Sequence, residues 1–107
     1  MKDYIVEVSK IAEQDLQNII SYLRYNLLSD IIAEKYKILF KQALVDLERV
    51  AENMPILDEE LTGQKNVRKI NVRNYIIFYK VNKESKRVSV IRIGHAIMDW
   101  ERYLKNL

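Results

Sequence analysis

The sequence has 107 residues, no cysteine, 31% charged residues and a formal charge of +3. A chain of this length buries roughly two-thirds of its surface in one core, so a single domain over 1–107 is expected, and the missing cysteines exclude disulfide frameworks, thiolate metal sites and cysteine nucleophiles. No apolar run approaches the ~20 residues that span a bilayer, and the charged start Met1-Lys2-Asp3 has no apolar segment behind it, so a cytoplasmic protein is expected.

Residues 4–8, Tyr-Ile-Val-Glu-Val, are β-branched and aromatic and read as a short strand, after which Ser9 offers a helix N-cap. Ala12, Leu16, Ile19, Ile20, Leu23 and Leu27 then share one helical stripe. Ser29 caps a second helix with the stripe Ile32, Tyr36, Leu39, Phe40, Ala43, Leu47 and Val50. With only Leu28 and Ser29 between the stripes, the two helices predict an antiparallel hairpin. Pro55 is expected to end the second helix, and 56–66 to form a polar connection. Three strands follow at Val67 to Val72, Tyr75 to Val81 and Arg87 to Gly94, joined by tight links at Arg73-Asn74 and at 82–86. The spacing of Ile97, Trp100 and Leu104 predicts a short terminal helix. The fold class is therefore α+β, in the order β-αα-βββ-α, with the helical hairpin packed on a small, mostly antiparallel four-stranded sheet. The hairpin covers one sheet face in this reading, and the other face is left to the basic residues of the meander.

The charge divides along the chain. Residues 1–53 hold seven Lys/Arg against nine Asp/Glu, whereas 54–107 hold eleven against six. Between Leu61 and Met98 nine cations face only Glu84, a footprint suited to a phosphate backbone or an acidic partner.

Arg68, Lys69, Arg73, Arg92 and the lone histidine, His95, fall on adjacent strands and are expected to converge on one sheet face. Strand cleavage by an RNA 2′-hydroxyl needs a base, a donor to the leaving oxygen and cations for the pentavalent phosphate. Arginine suits the last role, and His95 or Tyr103 would move the proton. In the plainer reading, Lys65, Lys80, Lys83, Lys86 and Arg87 solvate the sheet rim, and Asp99 pairs with Arg92 to lock it structurally. Tyr36, Phe40, Phe78 and Trp100 sit on core stripes and are expected to pack rather than stack on bases. No metal, nucleotide or hydrolase motif is present, so neither a cofactor nor a metal is expected.

The whole chain resembles the RelE/ParE superfamily of bacterial type II toxins. The residues that carry the resemblance are Ala12-Glu13-Gln14-Asp15-Leu16 with Ile19 and Tyr22, the strand pair from Val67 to Val81, and Val90-Ile91-Arg92-Ile93-Gly94-His95-Ala96-Ile97-Met98-Asp99-Trp100. The resemblance implies a compact α+β toxin held by a cognate antitoxin, acting on the ribosome and its mRNA or on DNA gyrase, with no membrane or small-molecule substrate. Carried over by position, it implies catalytic roles for Arg68, Arg92 and His95; the residue reading adds Tyr103 to the catalytic set and Lys65, Lys69 and Arg73 as nucleic-acid contacts. Relatives often read His-x-Arg-Arg-Asp before the terminal helix, whereas Ile97 and Met98 stand in the arginine positions here. Ribosome-dependent mRNA cleavage is the leading expectation, with a non-enzymatic gyrase poison or an attenuated, antitoxin-binding module as alternatives.

Overall fold

The computed structural model describes residues 4–105. Strand β1 (Ile5–Val8) leads into helix α1 (Lys10–Ser21), a π-helical turn (Tyr22–Asn26) and helix α2 (Asp30–Val50). A 3₁₀ turn (Ala51–Asn53), a single-turn helix α3 (Glu59–Thr62), strands β2 (Val67–Val72), β3 (Tyr75–Asn82) and β4 (Arg87–His95), and helix α4 (Trp100–Lys105) complete the chain. Both serine caps form as expected, with Ser9 Oγ accepting from the Ala12 N–H and Ser29 Oγ from the Ile32 N–H.

The strands make one sheet in the order β1-β4-β3-β2, with β1 parallel to β4 and the other pairs antiparallel. On the face covered by α1 and α2, Phe40, Leu47, Ile77, Tyr79, Val88 and Val90 are fully buried. Each such side chain contributes roughly 1.5–3 kcal/mol of transfer free energy, which makes this layer the principal core.

The other sheet face does not belong to the basic residues. Val67, Ile76, Phe78 and Leu104 form a second buried cluster there, joined by Leu57 and Trp100. Alternation along β3 explains the correction: both its faces are apolar, so each demands a cover, and α4 supplies the second one. The Trp100 ring lies 4.4 Å from that of Phe78.

Three local departures have local causes. Helix α2 ends at Val50, before Pro55, because the chain tightens into the 3₁₀ turn. The connection 56–66 holds α3, capped by the Asp58 side chain on the Glu60 N–H and stopped at Gly63, whose φ of 71° a side-chain residue rarely adopts. The hairpin link starts at Tyr22, where the Leu27 N–H reaches back five residues to the Tyr22 carbonyl. Among the described residues, no helix is long and apolar enough to cross a membrane.

Candidate functional site

A concavity of about 810 Å³ opens where the tip of the helical hairpin meets the start of β3 and the end of β4. The π-helical turn brings Tyr22 and Leu23 to one wall, and the first turns of α2 add Ile32, Lys35 and Tyr36. Tyr75 forms the floor, its ring 5.4 Å from Tyr36, 5.6 Å from Phe40 and 5.3 Å from His95. Burial raises the Tyr75 pKa, and the neighbouring Tyr36 and Tyr22 push it further up, so this phenol is a proton donor at neutral pH and not a base.

His95 sits directly across from Tyr75 in the β3–β4 register. Its Nδ1 accepts the Ile97 N–H at 3.2 Å, so the neutral ring carries its proton on Nε2. The 95–98 turn is further pinned by Ala96 N–H to the Asn74 carbonyl and Met98 N–H to the His95 carbonyl. Gly94 is required just before it: a Cβ there would lie 2.6 Å from Cη2 of Trp100.

The expected convergence of cations on one sheet face does not occur. Arg68 lies opposite Tyr79 on the face covered by the hairpin, buried, with Nη1 donating to the Glu52 and Met54 carbonyls at 2.9 and 2.7 Å. The Tyr79 hydroxyl donates to the Ala51 carbonyl beside it, so this strand pair captures carbonyls left open where α2 ends. Burial pushes the Tyr79 pKa up to about 12, against a smaller opposing pull from Arg68. Lys69 lies opposite Phe78, on the other face.

Arg92 pairs with Asp15, not with Asp99. Two guanidinium N–H groups meet the two Asp15 oxygens, both at 2.8 Å, and Asp15 Oδ2 also accepts the Ile93 N–H at 3.0 Å. The reason is the sheet edge: β1 pairs with β4 only as far as Val90, so the next stretch of β4 needs another partner, and α1 supplies it through Asp15. Asp99 instead accepts the Arg102 N–H near the start of α4.

Lys65 is exposed before β2, and Arg73 is exposed in the β2–β3 turn with φ 57°. Tyr103 falls within α4, and its side chain lies outside the described residues. Of the expected site residues whose side chains are described, then, only His95 lines the cleft. Sequence reasoning missed Lys35 and Tyr75, which only the tertiary fold brings together. It also missed Asp15, although a signal existed: Asp15 stands three residues after Ala12 and four before Ile19, a carboxylate on an apolar stripe.

Apolar groups dominate the rim. Tyr22, Leu27 and Ile97 are 52%, 51% and 86% exposed, and Leu28 and Ile31 beside them are both 84% exposed. Exposed apolar patches of this kind mark binding surfaces for other proteins. Leu28 is also held at φ 51°, a conformation that costs a leucine energy and that strained functional segments tolerate.

The comparisons with known proteins agree with this architecture. The family described as ParE toxin of type II toxin-antitoxin system, parDE, matches residues 6–100. Among solved structures, a chain of the chromosomal ParDE system of P. aeruginosa aligns with a TM-score of 0.70 at 17% identity, covering 87% of this chain and 96% of that one. A chain of the RelBE2 toxin-antitoxin complex of Mycobacterium tuberculosis gives 0.62 at 21% identity, over 87% and 98% of the two chains. A free double mutant of the E. coli toxin RelE gives 0.57 at 21% identity, over 99% and 96%. A search of curated protein sequences returns no significant match.

Proposed function

The chain belongs to the ParE toxin family of type II toxin-antitoxin systems, and we propose that as the toxin it arrests growth by gripping a protein target in the aromatic cleft rather than by cutting RNA. An antitoxin is its partner, and the cytoplasm is its place of action. One observation carries the reading: Arg68 and Arg92, the cations on which phosphate chemistry would depend, are committed to the Glu52 and Met54 carbonyls and to Asp15, while the cleft rim is apolar. The Arg92 guanidinium is 13% exposed and its charge is already balanced by the Asp15 carboxylate, so it attracts a phosphate less than a free arginine would. DNA gyrase is the target kind that the family resemblance offers.

The test sets two assays side by side. Purified toxin is added to gyrase with relaxed plasmid, and to translating ribosomes with a defined mRNA. Inhibited supercoiling with intact mRNA supports the reading, and mRNA cut by the wild type refutes it.

One observation favours the second reading, ribosome-dependent mRNA cleavage. His95 and Lys35 share the cleft, and the His95 Nε2–H is a donor suited to a leaving oxygen. In that mechanism Lys65, Lys69 and Arg73 hold the RNA strand, Tyr103 assists proton transfer, and Arg68 and Arg92 support the site from behind.

A further inference from the structure

Helix α2 carries two series of residues at seven-residue spacing. Ala33, Phe40 and Leu47 are wholly buried, Phe40 and Leu47 in the core against the sheet. Ile31, Ile38 and Val45 stand two positions before each of them, about 200° away around the helix, and are 84%, 69% and 44% exposed. A solvent-facing helix side has no internal use for two isoleucines and a valine in strict register, whereas a helix packing on another helix needs such a ridge.

We propose that this ridge is a homodimer interface, with α2 of two copies packed antiparallel about a two-fold axis at Ile38. The shoulders of the ridge fit that occupant. Glu34 and Lys41 flank it on one side, Lys35 and Gln42 on the other. In the antiparallel register Ile31 meets Val45 of the second copy, Glu34 meets Lys41 of the second copy, and Lys35 meets Gln42 of the second copy. Each contact occurs twice, as an isologous interface requires. Arg24 holds the Glu34 carboxylate at 2.8 Å, which fixes the position of the acidic shoulder. Antiparallel packing also sets the two helix dipoles head to tail. The surface lies on the opposite side of α2 from the sheet and meets the cleft only at its edge, where Lys35 belongs to both and Ile31 stands beside the rim. A single pair of ~30 Å helices makes a small interface, and micromolar affinity is expected.

The chain's lack of cysteine makes the test direct. The full-length chain is studied by sedimentation velocity from about 1 to about 200 µM, a range bracketing the expected affinity. The wild type passes from monomer to dimer across it, and Ile38→Glu raises the dimer dissociation constant by about 100-fold or more. Because Ile38 is mostly exposed, unchanged circular dichroism shows that this variant is folded. Under mild oxidation Ile38→Cys links to itself, and Ile31→Cys links to Val45→Cys when the two are mixed but not to itself. A wild type that stays monomeric throughout overturns the proposal. So does self-linking of Ile31→Cys, or an Ile38→Glu variant that keeps its dimer and instead loses the antitoxin.

Discussion

Replacing Asp15 with alanine removes at least three accepted hydrogen bonds at once: two from Arg92 at 2.8 Å and one from the Ile93 N–H at 3.0 Å. The side chains of Arg92 and Asp15 are only 13% and 8% exposed, so water compensates little. Removing one partner of such a pair costs about 3–5 kcal/mol, a large share of the ~5–15 kcal/mol that holds a domain of this size. Adding Arg92→Met to Asp15→Ala recovers much of the loss, because the guanidinium is no longer kept in a site built around a carboxylate. What stays lost is the acceptor for the Ile93 N–H, about 1–3 kcal/mol. Urea unfolding of the wild type, both single variants and the double variant, followed by circular dichroism, completes the cycle. A coupling below about 0.5 kcal/mol, or a double variant no more stable than Asp15→Ala, refutes the account of Asp15 as the clamp between α1 and the free edge of β4.

Tyr79 titrates near pH 12, above its unfolded value of 10, so the folded state binds the proton more tightly; its contribution is complete below pH 10 and lost between about 10 and 12, worth about 2–3 kcal/mol. Alkaline unfolding that shifts to higher pH in Tyr79→Phe checks the sign, and an unshifted midpoint refutes it. Gly94→Ala puts a Cβ 2.6 Å from the Trp100 ring and 3.2 Å from Met98 Sδ, so α4 is displaced, stability falls by about 1–3 kcal/mol, and Trp100 fluorescence shifts to the red. Leu28→Gly relieves the φ of 51° and raises stability by about 0.5–1 kcal/mol in thermal unfolding, while toxicity falls because the rim loses an exposed leucine.

Local order in the sequence translated into local structure. The strand Val67–Val72 appears with the expected bounds, and β3 and β4 each run one residue further, to Asn82 and His95. Both caps form, because a serine followed by an apolar helical stripe is a local arrangement. What escaped was the choice of long-range partners. Arg92 finds a carboxylate 77 residues away, and Arg68 finds carbonyls 14 and 16 residues back, at a helix end whose position was misplaced. A register shift between Phe78 and Tyr79 further alters which β4 residues face the helices, and nothing in the alternation of apolar residues announces it. Charge was legible as a count. Whether each cation met a carboxylate, a carbonyl or water was decided by packing.

That distinction bears on how the toxin recognises its target. Of the nine cations between Leu61 and Met98, Arg68 and Arg92 are held internally and Arg87 pairs with Glu7, so the remaining positive charge stands in turns and along the sheet. Lys86, in the β3–β4 turn, lies over the Tyr4 ring. The cleft itself offers Lys35 among tyrosines and aliphatic side chains. Under the protein-target reading, recognition there runs on apolar contact, which salt barely weakens, whereas each phosphate contact adds close to one unit to the logarithmic salt slope. Raising salt from about 50 to about 200 mM therefore changes the affinity for a protein target by less than about threefold, while recognition through several phosphates loses ~100-fold or more. Fluorescence anisotropy across that range, with the toxin labelled away from the cleft, distinguishes the two. A steep loss of target affinity returns the basic turns to the centre of the mechanism and removes the apolar rim from it.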